Sequence, residues 1–137
     1  MDCFDADVLI FAADPRHPLG ARVRALFAGA PVGSVVGIGS VLLLPEVMSK
    51  PLRDEREDQL GDLAALLARL DLRPLDQATA QVATALAAQH RLRAADAVHL
   101  ATAVAAGADR FITNNRKDFP KSITEVDVTY PDDLADA

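Results

Sequence analysis

The chain has 137 residues, half of them hydrophobic, and a net charge of −6, which argues against a general nucleic-acid binder because phosphate contacts need Lys and Arg. Its single cysteine, Cys3, excludes an internal disulfide and zinc sites built from paired cysteines. No stretch reaches the roughly 18 consecutive apolar residues of a membrane span, and the start MDCFDADV is acidic where a signal peptide is basic, so we expect one domain, residues 1–137, in the cytoplasm.

Short strands alternate with helices along the first half of the chain. The pattern predicts strands at 2–5 and 33–38 and helices at 8–13, 19–28, 40–49 and 54–70. Asp7 is placed to cap the first helix, although residues 8–11 could instead continue the strand. Because proline is tolerated only in the first turn of a helix, Pro45 predicts that the third helix starts after Ser40 or kinks, and Lys50-Pro51 ends it.

The second half continues the alternation. It predicts strands at 71–74, 110–113 and 126–128, a helix at 77–89 capped by Asp76, and a helix at 93–106 closed by Gly107. The helix at 93–106 is apolar nearly all round, which marks it as buried. The alternation predicts an α/β fold with a central, mainly parallel sheet. Ligand sites in such sheets lie beyond the carboxyl ends of the strands, where Asp5 and the loop 114–118 both fall.

Four acidic residues stand beside apolar stretches in widely separated parts of the chain. They are Asp5 in FDADVLI, Glu46 in VLLLPEVMSKP, Asp96 in RAADAVHLATAVAAGA and Asp118 in RFITNNRKDFP. An ionised carboxylate beside core-forming sequence is costly unless it is paired or binds a metal. Four of them at the ends of different elements predict one cluster, and carboxylates without cysteine suit a hard cation such as Mg²⁺ or Mn²⁺.

Three of these acids also have an ordinary structural explanation. Glu46 would be a solvated helix residue, Asp96 a first-turn acid favoured by the helix dipole, and Asp118 a turn residue. Asp96 is the strongest candidate, because its helix is otherwise apolar and His99 and Thr102 follow at intervals of three on the same edge. For His99 we favour a hydrogen-bonded core role over metal ligation.

Other kinds of site find little support in the residues. The chain has no glycine-rich phosphate loop and no serine nucleophile elbow. A phosphorelay receiver would need an Asp at the end of a central strand, but the strand at 33–38 leads to Gly39-Ser40. Basic residues suited to phosphate contact do occur near the acids: Arg91, Arg93, Arg116 and Lys117. Much of the acidic excess lies elsewhere, in a tail from about residue 125.

The four motifs, in this order, resemble those of the PIN-domain nucleases, and the chain is similar in size to the toxins of VapBC toxin–antitoxin pairs. The most specific motif is AADAVHLATA, and the others are FDADVLI, VLLLPEV and the strand into TNNRKDF. The resemblance runs from Asp5 to Phe119. It implies a three-layer α/β/α fold with a central parallel sheet. It also implies a Mg²⁺- or Mn²⁺-dependent ribonuclease that acts as a homodimer and is blocked by a small antitoxin.

The resemblance further implies roles for individual residues. Asp5 and Asp96 would bind the metal directly, while Glu46 and Asp118 would bind it directly or through water. Many relatives have Asp at the position of Asn115, so either Asp118 or Asn115 completes the site. Supporting or substrate contacts would come from Thr113, Asn115, Arg116 and Lys117. The alternative is a PIN-like binding protein with weak or no nuclease activity.

Overall fold

Five short strands form one parallel sheet at the centre of the computed structural model, which describes residues 1–137. The strands are β1 (Asp2–Phe4), β2 (Gly37–Ser40), β3 (Leu70–Arg73), β4 (Arg110–Ile112) and β5 (Asp127–Thr129). They lie side by side in the order β3-β2-β1-β4-β5, and every neighbouring pair is parallel. The predicted α/β class is confirmed, with a sheet that is parallel throughout.

Six helices cover the two faces of the sheet. They are α1 (Ala6–Ala13), α2 (Pro18–Ala28), α3 (Leu43–Arg53), α4 (Glu57–Leu67), α5 (Gln77–His90) and α6 (Ala94–Ala105), and a short 3-10 helix, Pro131–Asp133, follows β5. Buried residues of α1 to α4 pack on one face of the sheet, and those of α5 and α6 pack on the other. The three layers are therefore helices, sheet and helices. No helix combines the length and the apolar character that crossing a membrane requires.

Alternate side chains of the central strands serve the two cores, as the two-residue period of a strand requires. In β1, Cys3 joins the core on the α5 and α6 side and Phe4 joins the opposite core; in β4, Phe111 and Ile112 divide in the same way. All four are at most 1% exposed. Burying a large apolar side chain contributes about 1.5–3 kcal/mol, so β1 and β4 tie both helix layers to the sheet. Burial raises the pKa of the Cys3 thiol to about 12, which keeps it uncharged.

The direction of strand addition reverses beside β1. From β1 the chain moves outward through β2 to β3, and then passes through α5 and α6 to place β4 on the other side of β1. A crevice opens at such a switch point, at the carboxyl ends of the strands. Asp5 follows β1 and Thr113 follows β4, so the predicted site edge lies at this switch point.

Two predicted elements are shorter than expected because the backbone turns inside them. The strand predicted at 33–38 spans only Gly37–Ser40, since the chain turns at Gly33, whose φ is +77°. The helix predicted at 54–70 spans Glu57–Leu67, since Glu55 has a φ of 54° and Leu70 already belongs to β3. Positive φ is rare outside glycine, so the turn at Glu55 has no strong signal in the sequence.

Helix α3 contains two prolines, one near each end. Pro45 lies in its first turn, where the missing N–H has no helical partner, and the helix starts at Leu43, after Ser40, as Pro45 predicted. The prediction that Pro51 ends the helix is wrong, because α3 continues to Arg53. Pro51 is buried, and its packing offsets the loss of one backbone hydrogen bond so close to the end of the helix.

Helices α1 and α2 approach each other closely at Gly20. A Cβ at this position would overlap the backbone carbonyl oxygen of Phe11. Arg24 also joins the two helices, because its Nη1 donates to the carbonyl oxygens of Ala12 and Asp14, each at 3.0 Å. The crossing of these helices therefore depends on the absence of a side chain at Gly20.

The acidic tail folds back onto the rest of the protein. It contains β5 and the 3-10 helix, and Leu134 is buried in the core on the α1 to α4 side. Three of its acids form ion pairs: Asp132 with Arg116, Asp133 with Lys121, and Asp136 with Arg22. Much of the negative charge of the tail is therefore neutralised locally.

Candidate active site

Asp5 follows β1 and is held by hydrogen bonds to both of its carboxylate oxygens. The backbone N–H of Ala6 donates to Oδ1 (2.8 Å), and the hydroxyl of Thr113 donates to Oδ2 (2.8 Å). Asp5 is only 6% exposed. Burial raises the pKa of its carboxyl, against the opposing effects of His99 and of the two hydrogen bonds. The carboxylate of Asp5 therefore has a fixed orientation at the switch point.

The predicted role of Asp7 as a helix cap is wrong, because α1 begins at Ala6 and Asp5 is its cap. Asp5 has the extended backbone of a capping residue, and Asp7 lies in the first turn. Oδ2 of Asp7 accepts from the backbone N–H of Asn114 (3.1 Å), while its Oδ1 is buried without a partner. Burial, followed by the charge of Asp5, raises the pKa of Asp7 to about 7. Asp7 is therefore a further acid of the cluster.

Asp96 lies in the first turn of α6, as predicted, and its charge interacts with those of the other predicted acids. Burial raises the pKa of Asp96, and the charges of Asp5 and Asp118 raise it further. His99 opposes this effect and Glu46 adds to it. The charges of acids from α3, α6, the end of β1 and the loop after β4 thus act on one another.

The loop after β4 is organised by side chains that were predicted to support the site. The hydroxyl of Thr113 accepts from the N–H of Asn115 (3.1 Å) in addition to donating to Asp5. Asn115 and Asp118 are joined twice, because Asn115 Nδ2 donates to Asp118 Oδ2 (2.9 Å) and the Asp118 N–H donates to Asn115 Oδ1 (3.2 Å). Asn115 therefore orients the carboxylate of Asp118.

The two basic residues of this loop have different surroundings. Arg116 pairs with Asp132 of the tail and lies over the ring of Tyr130, 4.5 Å from its centre. Lys117 is exposed and has no side-chain partner. Lys117 is therefore free to meet an anion, whereas the charge of Arg116 is already balanced by the tail.

Glu46 reaches the cluster from helix α3. Its Oε1 lies 3.0 Å from Nε2 of His99, and its side chain is 34% exposed while that of His99 is 1% exposed. Burial lowers the pKa of His99, but the hydrogen bond to Glu46 and the charges of Asp5 and Asp96 raise it by more, so the net shift is upward. His99 is a hydrogen-bonded core residue, as predicted, and its partner is one of the candidate acids.

Sequence reasoning missed two features of the cluster, the membership of Asp7 and the contact between His99 and Glu46. The signal for Asp7 was its spacing from Asp5, but an acid two residues from another is common in a chain with 20 acids. The signal for His99 was its position on the same helix edge as Asp96. Spacing along one helix does not name a partner on another, so the contact with Glu46 needed the fold.

The acids fit a divalent cation that keeps part of its water shell. No three carboxylate, imidazole or thiol side chains are placed to ligate one ion together. Mg²⁺ takes only one or two carboxylates and fills its other positions with water or phosphate oxygens, so a smaller set suffices. The unpartnered Oδ1 of Asp7 and the raised pKa values of Asp5 and Asp96 mark negative charge that the protein itself does not balance.

Comparisons with known proteins agree with this architecture. A family model described as PIN domain matches residues 3–122. A toxin–antitoxin complex from Klebsiella pneumoniae superposes with a TM-score of 0.73 at 24% sequence identity, over 96% of this chain and 98% of that chain. The crystal structure of VapBC2 from Rickettsia felis, bound to a DNA fragment from the VapBC2 promoter, superposes with a TM-score of 0.72 at 18% identity, over 94% of this chain and 97% of that chain. A search of curated proteins found no match.

Proposed function

The chain belongs to the PIN-domain family, and we propose that it is a metal-dependent ribonuclease, the toxin of a type II toxin–antitoxin pair acting in the cytoplasm. The observation that supports this proposal is that Asp5 lies at the switch point of a parallel sheet and that the charges of Glu46, Asp96 and Asp118 act on the same cluster. Carboxylates in such a crevice suit a hard cation, and hard cations are suited to phosphodiester hydrolysis. The choice of RNA as substrate comes from the family resemblance.

Unneutralised cations beside the acids support a polyanionic substrate. Among the 14 basic residues, those with exposed side chains and no carboxylate or hydrogen-bond partner are Lys50, Arg91, Arg93 and Lys117. Lys50 follows Glu46 by one helical turn, and Lys117 adjoins Asp118. Free Lys and Arg side chains favour phosphate groups, so a nucleic-acid backbone is attracted to this edge despite the negative net charge.

The chain's own residues would hold the cation and orient the acids around it. Asp5 and Asp96 would ligate it directly, and Glu46 and Asp118 would do so directly or through water. A divalent cation supplies a Lewis acid that activates water and stabilises the charge of the phosphodiester. The Thr113 hydroxyl keeps the Asp5 carboxylate in one orientation, which organises the site before substrate binds.

A cleavage assay tests the nuclease assignment. The purified protein is expected to cut RNA in the presence of Mg²⁺ or Mn²⁺, to lose this activity in EDTA, and to regain it when the ion is restored, because the acids alone provide no Lewis acid. Products are followed on a denaturing gel. Cleavage that persists unchanged in EDTA would contradict the assignment.

A titration with Mn²⁺ separates the nuclease from the alternative, a PIN-like binding protein with weak or no nuclease activity. We expect saturable binding that is at least about tenfold weaker in Asp96→Asn. Losing even a residue that only hydrogen-bonds a metal ligand typically lowers metal affinity by about 10- to 100-fold. The control is Asp71→Asn, which removes an acid that pairs with Arg73 on the edge strand, and it should bind like the parent. Absence of saturable binding in the parent would favour the alternative.

The same titration is expected to show tighter binding at about pH 8 than at about pH 6. Burial and the charge of Asp5 raise the pKa of Asp7 to about 7, so the carboxyl is mostly protonated at the lower pH and mostly charged at the higher one. The charged form of Asp7 adds to the negative field of the cluster, which attracts a divalent cation, and affinity therefore rises through this window. Without the ion, the folded state binds more protons than the unfolded state, so the stability of the fold falls as the pH rises through the same window. Equal affinities at the two pH values would contradict this prediction.

A groove beside Glu46 is the surface that we propose for the antitoxin. It has a volume of about 780 Å³, lies between α1, α3 and α4, and has Glu46 and Lys50 among its lining residues. A partner segment that fills this groove would cover Glu46 and so obstruct the site. We propose that the active form is a homodimer, as the family resemblance implies.

Induced expression of the protein should arrest growth, and expression of the neighbouring small reading frame should relieve the arrest. If neither the protein nor its neighbour affected growth, the result would favour a housekeeping nuclease.

A further inference from the structure

The carboxylate of Glu46 is held by a single side-chain hydrogen bond. Asp5 is fixed through both oxygens, and Asp118 is tied to Asn115. The carboxylate of Glu46 contacts only Nε2 of His99, at 3.0 Å. Glu46 lies on the outer helix α3 with its side chain 34% exposed, so without His99 it would have several rotamers open to it.

His99 can provide a rigid support because α6 fixes it within the core. It is 1% exposed, and Val98, Leu100 and Ala101 beside it are also buried. A carboxylate only accepts hydrogen bonds, so Nε2–H of His99 is the donor, and Nδ1 is left buried without a partner. Burying an imidazole nitrogen without a hydrogen-bond partner costs free energy. The protein nevertheless keeps His99 in this position beside the acids.

We propose that His99 is a positioning residue that holds the carboxylate of Glu46 beside Asp5 and Asp96. This inference rests on the proposed nuclease function. It links α3, which carries Glu46, to α6, which carries both His99 and Asp96. A group that orients a metal-site carboxylate acts on metal affinity and on turnover rather than on substrate binding.

The chain offers a matched control in a second pair of the same chemistry. Nε2 of His90, at the end of α5, lies 2.8 Å from Oε2 of Glu125. This pair is also partly buried, with side chains 16% and 25% exposed. None of the candidate site acids contacts it. Variants of His90 therefore report what losing a histidine–carboxylate pair costs when the pair is outside the site.

The experiment compares His99→Leu and His99→Gln with His90→Leu and His90→Gln. Leu fills the space without a donor, whereas Gln restores an N–H donor. We expect His99→Leu to lower kcat about 10- to 100-fold and to weaken Mn²⁺ binding by a similar factor, with KM for RNA nearly unchanged. His99→Gln should recover most of both losses, and the His90 variants should match the parent in kcat and in Mn²⁺ affinity.

Two results would overturn the proposal: a folded His99→Leu with the kcat and Mn²⁺ affinity of the parent, or a His99→Gln as impaired as His99→Leu, which would indicate packing alone. If His99→Leu does not fold, the imidazole ¹⁵N resonances decide. Glu46→Gln should shift those of His99 and leave those of His90 in place, and unmoved His99 resonances would overturn the proposal. A parent protein that neither cuts RNA nor binds Mn²⁺ would instead refute the proposed nuclease function.

Discussion

Replacing Asp5 with Asn is expected to lower the rate of RNA cleavage by at least about 100-fold, because it removes a charged metal ligand. Losing even a residue that only hydrogen-bonds such a ligand typically lowers activity by about 10- to 100-fold. Asp5 is the most buried of the predicted acids and is oriented by Ala6 and Thr113. No neighbouring acid has the same fixed position, so none can take its place. The initial rate of cleavage at saturating Mg²⁺ measures the effect. A variant that cut RNA as fast as the parent, with contaminating nuclease excluded, would show the site assignment to be wrong.

The same substitution is expected to leave the protein at least as stable as the parent at about pH 8. Burial raises the folded-state pKa of Asp5 above its unfolded value, so the ionised carboxylate lowers stability at neutral and higher pH. Asn carries no charge, still accepts from the Ala6 N–H, and caps helices about as well as Asp. The urea midpoint should equal or exceed that of the parent, and the difference should shrink as the pH falls and the parent's Asp5 becomes protonated. A urea midpoint below that of the parent both at about pH 8 and at lower pH would mean that the lost activity reflects lost structure.

Replacing Gly20 with Ala is expected to destabilise the fold by about 3 kcal/mol, at the upper end of the usual range for overpacking. The added Cβ would overlap the backbone carbonyl oxygen of Phe11, and a backbone atom cannot move aside as a flexible side chain does. Helix α2 would have to shift away from α1, which also carries the first residues after Asp5. Urea unfolding followed by circular dichroism measures the loss.

The control for this prediction is Gly61→Ala in α4. Gly61 is exposed, and a Cβ there would meet no atom within 4 Å. Alanine in the middle of an exposed helix is more favourable than glycine by about 0.5–1 kcal/mol, so this variant should gain stability. If Gly20→Ala shifted the midpoint upward like Gly61→Ala, the close approach of α1 and α2 would be refuted.

The elements that could be predicted from the sequence are those governed by local chemistry. Asp76 caps α5 as predicted, with Oδ1 accepting from the Thr79 N–H at 2.8 Å. The apolar run at 93–106 became the buried helix α6. Errors arose where the backbone made a choice that side-chain periodicity does not report, such as the positive φ of Glu55 and the continuation of α3 through Pro51.

The site was foreseeable as a meeting of acids but not as a set of contacts. The carboxyl ends of parallel strands share an edge, so Asp5 and the loop after β4 were expected to meet there. The partners within the cluster join residues far apart in the chain, such as Glu46 and His99, and no spacing rule identifies such pairs. The prediction that Asp7 caps α1 was wrong because β1 ends one residue earlier than predicted, so that Asp5 caps the helix.

The central position of β1 has a consequence for folding during synthesis. β1, the first of the five strands in chain order, pairs with β4, and the hydrogen bond that fixes Asp5 comes from Thr113, 108 residues further along the chain. Pairing over such separations comes late in folding, since the intervening loop must first close. The cluster therefore cannot assemble on a nascent chain until β4 and Thr113 have been synthesised. A truncated product that ends before β4 would lack both the strand that pairs with β1 and the hydroxyl that fixes Asp5.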